Sequence, residues 1–193
     1  MFNIKGDMKP IIKHLNKTQK KQIPFAAAQA INSTLFNIMK AEKAQLQKKL
    51  DRPTPFTLSA FKINKAKKTK LIGDIHIQPE RYKYLKYQIE GGTRSATNIG
   101  VPTVNAKLNK YGNIPARRKG LIKNKKQFIS NIGGVNGVWE RTKSGKSKLI
   151  VAFHSSVQYK PIFPFYKIAD GVTRKRFQRN FTYSLERALR TAK

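Results

Sequence analysis

The sequence predicts an α+β chain: an antiparallel sheet packed with a long N-terminal helix and a C-terminal helix, plus a projecting basic central arm. Three observations carry that expectation. Apolar residues recur at helical spacing in both terminal regions, they alternate in the middle, and residues 93–130 combine weak periodicity with a Gly-, Asn- and Lys-rich composition. A length of 193 residues suits one domain, so a single domain over 1–193 is expected, with 93–130 as its long loop or arm. Hydrophobic residues make up 39% of the chain, enough for a core, which excludes a wholly disordered protein.

Each element follows from a local signal. Pro10 stands at the first turn of a short helix with Ile11, Ile12 and Leu15 on one side. Pro24 opens a longer helix over 25–50, whose stripe Ile31, Leu35, Ile38/Met39, Leu46 and Leu50 keeps close to the 3.6 period. Ala26, Ala27, Ala28 and Ala30 make its first turns slim enough for close packing. Asp51-Arg52-Pro53-Thr54-Pro55 ends it, because a residue before proline avoids the helical region. Leu71-Ile72-Gly73-Asp74-Ile75-His76-Ile77 alternates, with Leu71, Ile75 and Ile77 on one face, and Phe61-Lys62-Ile63 is expected to pair with it across the turn at 65–70. Pro79-Glu80 begins a short helix carrying Tyr82, Leu85 and Ile89, closed by Gly91-Gly92. Residues 137–142 and 148–153 flank Ser144-Gly145 as a hairpin. The last helix spans 168–192, with Val172, Phe177, Phe181, Leu185 and Leu189 inward and Arg174, Lys175, Arg176, Arg179, Arg187 and Arg190 outward.

Charge is the unusual property. Forty-one Lys and Arg against nine Asp and Glu give a net charge of +32. Self-repulsion on that scale penalises the compact state, so a polyanion or an acidic protein neighbour is expected beside the chain. The absence of Cys excludes a disulfide-scaffolded module, thiolate metal sites and a thiol nucleophile. No apolar run exceeds five residues, far short of a membrane span, and residues 1–20 show no signal-peptide pattern, so a soluble protein without membrane contact is expected.

Candidates for catalysis are few. His14, His76 and His154 lack partners at metal-binding spacing. Asp74 and His76 share one face of a strand, an arrangement that could orient a base but reads better as the polar outer face of a half-buried strand. Ser144-Gly145-Lys146-Ser147 looks like the end of a phosphate-binding loop, yet Glu140 stands where that loop needs its first glycine. No catalytic, cofactor-binding or metal-binding residue is therefore expected, and no enzyme.

Basic clusters are the candidate site instead: Lys65, Lys67, Lys68 and Lys70; then Arg117, Arg118, Lys119, Lys123, Lys125 and Lys126 in the arm; then Arg174, Lys175, Arg176 and Arg179 on the last helix. Each cluster alone is explained by solvation, but so many with hardly any acid to balance them is not. Tyr84 and Tyr87 share a helix face while Tyr82 turns elsewhere, so these tyrosines are expected to cover the sheet rather than stack on bases. With no zinc-finger or RRM signature, any DNA or RNA is bound by charge and position rather than sequence.

Two stretches resemble a known family. Ile23-Pro24-Phe25-Ala26-Ala27-Ala28-Gln29-Ala30-Ile31-Asn32, leading into a long helix, resembles the opening of phage minor tail proteins of the Z type. So does the ending, with Phe177, Phe181, Leu185 and Thr191-Ala192-Lys193 following Pro161-Ile162-Phe163-Pro164, and Asp51-Arg52-Pro53-Thr54-Pro55-Phe56-Thr57 is similar to a post-helix motif of such proteins. The resemblance covers about half the chain. It implies a bacteriophage virion structural protein of the tail or neck, made in the host cytoplasm, which helps complete the tail or join head to tail. It also implies contacts with other virion subunits in a homo-oligomeric ring, non-specific contact with packaged DNA, and no catalytic residues to carry over. The alternative is a sequence-independent nucleic-acid-binding protein of the ribosomal or nucleoid type, which explains the charge but not the two end motifs.

Overall fold

The computed structural model describes residues 1–5, 17–115, 122 and 124–191. The fold is α+β, with two antiparallel sheets. In place of the single domain expected, the chain divides into two compact units, Met1–Leu85 with Phe163–Lys193, and Lys86–Ile162.

The first unit holds strand β1 (Phe2–Lys5), helix α1 (Lys17–Lys49), the single turn α2 (Pro55–Leu58), strands β2 (Phe61–Asn64) and β3 (Ile72–Ile77), and helix α4 (Phe165–Arg190). Its sheet order is β1-β3-β2, with Ile4 opposite Gly73 and Ile63 opposite Ile75. The expected β2–β3 pairing is present. β1 leaves no signal in the sequence, because its four residues carry no long alternation and its partner lies some seventy residues away. The expected helix at Pro10 lies outside the described residues.

Helix α1 begins before Pro24, which sits inside it at the cost of one backbone hydrogen bond. Its inward stripe is Ile23, Ala27, Ala30, Ile31, Thr34, Leu35, Ile38, Glu42 and Leu46, all buried. Gly73 lets β3 approach it: a Cβ there would stand 2.7 Å from Leu35 Cδ1. Helix α4 packs along α1, and Asn180 Nδ2 donates to Thr34 Oγ1 at 2.9 Å. The buried residues of α4 are Phe165, Ala169, Ser184 and Ala188, whereas Leu189, expected inward, is 42% exposed. Closely packed helices select small side chains at the contact, which turns the burial stripe away from the largest apolar residues. Phe61, Phe163 and Phe165 close the core, with ring centroids 6.1–6.4 Å apart.

Helix α3 (Pro79–Ile89) leads from the first unit into the second. The second unit contains β4 (Gly92–Pro102), β5 (Gln127–Ile132), β6 (Val135–Arg141) and β7 (Ser147–Tyr159), ordered β4-β7-β6-β5. Residues 93–130 are thus not one loop: they begin in β4 and end in β5. Along β4 every residue but Ile99 is exposed, so no alternation marks it, and pairing with β7 alone makes it a strand. Between the two, Ala106 and Ile114 pack onto the buried cluster Val138, Ile150 and Val151. The expected β6–β7 hairpin is present, with Gly145 at φ 78°.

Candidate polyanion-binding surfaces

The lysine turn between β2 and β3 is held rigidly. Lys67 and Lys70 exchange backbone hydrogen bonds of 3.0 and 2.9 Å. From α1, Asn32 clamps the residue before them: its Nδ2 donates to Ala66 O at 3.0 Å and its Oδ1 accepts from Ala66 N at 2.8 Å. Ala66 is buried, so the turn is anchored at its root while Lys65, Lys67, Lys68 and Lys70 remain exposed. Lys65 Nζ lies 5.4 Å from the Phe36 ring centroid. Among the described residues, none of the four joins an ion pair.

On α4, Arg174, Lys175, Arg176 and Arg179 are all exposed, but Arg174 Nε is already paired with Asp170 at 2.9 Å. Within the arm cluster, Arg117, Arg118, Lys119 and Lys123 lie outside the described residues. Lys125 and Lys126 are exposed at the entry to β5, where Asn124 Oδ1 accepts from Lys126 N at 2.9 Å. The structure brings the lysine turn and the α4 cluster into the same unit and Lys125 and Lys126 into the other. Sequence reasoning missed the outward cations of α1, namely Lys40, Lys43, Lys48 and Lys49. Their positions off the apolar stripe were the available signal.

The acidic groups are largely engaged. Asp51 binds Arg52, whose hydrogen bonds hold its carboxyl below the usual range. Glu140 accepts from Lys148 Nζ at 3.0 Å and Gln127 Nε2 at 2.8 Å, and those hydrogen bonds, Lys148 first, lower it in the same way. This pair borders a cleft of about 340 Å³ that Asn105, Ala106, Ile114 and Val151 also line, so its charged groups already satisfy one another. Glu42 differs. It is fully buried, neither carboxyl oxygen has a partner among the described residues, and burial pushes it up to about 9, so it is a neutral acid at pH 7.

Asp74 and His76 do form a pair, His76 Nδ1 to Asp74 Oδ2 at 2.9 Å, and Asn64 Nδ2 donates to both Asp74 oxygens at 3.1 Å. The carboxylate's acceptors are consumed by its own sheet, an arrangement that ties β2 to β3. Ser144-Gly145-Lys146-Ser147 sits at a hairpin turn, where Thr142 N donates to Lys146 O at 2.7 Å. Tyr84 is half-buried with its hydroxyl 3.1 Å from Thr57 Oγ1, Tyr87 packs on Tyr159, and Tyr82 is exposed. Among the described residues no helix is long and apolar enough to cross a membrane. No protein-family model, curated protein or solved structure matches the chain.

Proposed function

We propose that this chain is a non-catalytic structural component of a large assembly, a virion tail or neck part that helps complete the tail or join it to the head. Its exposed cations would face packaged DNA or acidic neighbouring subunits. One observation carries this reading: Lys65, Lys67, Lys68 and Lys70 stand on a turn locked to α1 by Asn32, with no ion-pair partner among the described residues. Ordering four like charges on a fixed turn costs energy unless a polyanion meets them. The Z-type resemblance supplies the setting, and a ring would give each cation a neighbour.

Binding to duplex DNA as a function of salt tests it. Replacing Lys65, Lys67, Lys68 and Lys70 together by Gln is expected to flatten the log–log salt slope by about 0.9 for each phosphate no longer neutralised, and to weaken low-salt binding about 100-fold if all four touch phosphate. An unchanged slope overturns the assignment of that turn. Preference for structured RNA over duplex DNA favours the ribosomal or nucleoid reading, and absence of the chain from the protein inventory of purified virions ends the tail reading.

A further inference from the structure

The sheet of Lys86–Ile162 has two unlike faces. Cross-strand partners share a face, so Val138, Val151 and Phe153 lie together on one, beneath Ala106 and Ile114. Phe128, Trp139 and Leu149 form a row across the other, followed by Gly137, Ala152 and Val101, with Ile132 and Val135 at the tip of the β5–β6 hairpin. The register shift at Val138/Trp139 keeps Leu149 and Ala152 on one side, and a Cβ on Gly137 would meet Leu149 Cδ1 at 2.8 Å, as that side requires. Here Val101, Ile132 and Val135 are 38–40% exposed. Trp139 is fixed in place by Nε1–H donation to Ser130 O at 3.0 Å.

Cations end this apolar row. Arg141 follows Trp139 on the same face, its guanidinium 5.2 Å from the Phe128 ring centroid. Its N–H donates to Lys126 O, which places Lys126 opposite it, and both are exposed. Glu140 is on the opposite face, occupied by Lys148 and Gln127. Over residues 86–162 the sequence has fifteen Lys and Arg against Glu90 and Glu140.

We infer that this face receives an apolar segment of an acidic partner protein, with aliphatic side chains over Val101, Ile132, Val135 and the aromatic row, and a carboxylate at Arg141 and Lys126. The chemistry selects that occupant. Nucleic acid would find aliphatic side chains at the exposed positions Val101, Ile132 and Val135, which offer a base no stacking surface, while Phe128 and Trp139 are half-buried within the row. A second copy would bring the same cations to a face where the described residues hold no carboxylate. The inference rests on the proposed role in an assembly but uses a different surface from the lysine turn, so the two can fail separately.

Trp139, the one tryptophan in the sequence, is the reporter. The full-length chain is titrated with a random Glu/Leu copolymer, with poly-Glu of equal charge, and with oligo-dT, at about 150 mM salt where exposed charges are well screened. The copolymer is expected to shift Trp139 emission to the blue and to bind about tenfold tighter than poly-Glu, the effect of roughly two buried methylenes. The double variant Val101→Ser, Val135→Ser, at exposed positions, is expected to lose that preference while keeping the duplex-DNA salt slope. Equal affinity for the two polyanions, or an unmoved emission maximum, overturns the inference. So does a stronger response to oligo-dT than to the copolymer, or an emission shift with protein concentration alone, which would signify a nucleic-acid platform or self-association. A duplex-DNA salt slope left unchanged by replacing the four turn lysines, with the copolymer preference intact, instead overturns the lysine-turn reading and leaves this one standing.

Discussion

In the unit formed by Met1–Leu85 and Phe163–Lys193, two helices and a sheet enclose Ile31, Leu35, Ile38, Ile75, Phe163 and Phe165, all at 2% exposure or less. In Lys86–Ile162 the buried cluster is Val138, Ile150 and Val151. The better-packed unit has seven carboxylates against twenty-six Lys and Arg, and the other has Glu90 and Glu140 against fifteen. Net charge per residue is thus nearly the same in the two units, so a similar self-repulsion is opposed by less burial in the second. Two probes separate them: Trp139 emission follows the sheet unit, and helical circular dichroism mainly follows α1 and α4. On urea unfolding, the Trp139 transition is expected to come first; coincident transitions would show one cooperative block and break the comparison.

Phe163→Ala has the largest expected effect, about 3–5 kcal/mol, because it removes a ring that packs against both Phe61 and Phe165. The loss should appear in the helical signal. A midpoint that moves only for Trp139 would reverse the assignment of cores to units.

Glu42 comes next and adds a pH test. Its folded-state value is raised to about 9 from 4.5, so between those pH values the folded chain holds a proton that the unfolded chain releases. Stability from this group is complete below about pH 4.5 and is lost as pH rises toward 9, at a slope approaching 1.4 kcal/mol per pH unit (about the value of one pKa unit). Glu42→Gln should remove that slope from the helical transition and leave Trp139 unfolding as before. Parallel pH curves for variant and parent would refute the neutral buried acid.

Val138→Ala removes about 2 kcal/mol by the transfer of two methyl-sized groups, less than Phe163→Ala in energy but a larger share of its unit's core. Trp139 unfolding should shift well ahead of the helical signal. Equal shifts in both would mean that the sheet's small core is not what limits it.

These positions also mark what the sequence could disclose. Ile31, Leu35, Ile38 and Leu46 were legible because a 3.6 period survives only if one face is buried, and the gap in that stripe falls at Glu42, a signal passed over. The β6–β7 hairpin was legible through Ser144-Gly145, and β2 and β3 through their alternation. β4 was not, since a strand exposed on both faces carries no periodic imprint. Leu189 misled because hydrophobicity alone does not reveal that a close helix pair prefers Ala188 and Ser184. Of the candidate site, the lysine turn was legible as composition, whereas its anchor, Asn32 to Ala66, joins residues thirty-four apart and needed the fold. The apolar face around Trp139 was hidden by the bulge, which changes which residues of β7 share a side.

The smallest effect is the most local. Gly133 and Gly134 form the two-residue turn between Ile132 and Val135, at φ 60° and 80°. A Cβ on Gly134 would meet nothing within 4 Å, so Gly134→Ala costs the left-handed backbone conformation and nothing else, about 1 kcal/mol. Because the turn sets the β5–β6 register, the cost should be read in the Trp139 transition and not in the helical one. Gly134→Asn, whose side chain tolerates that conformation, should recover most of it. If Ala and Asn destabilise alike, the turn is not what holds the register, and the Phe128–Trp139 pairing must be fixed by strand contacts alone.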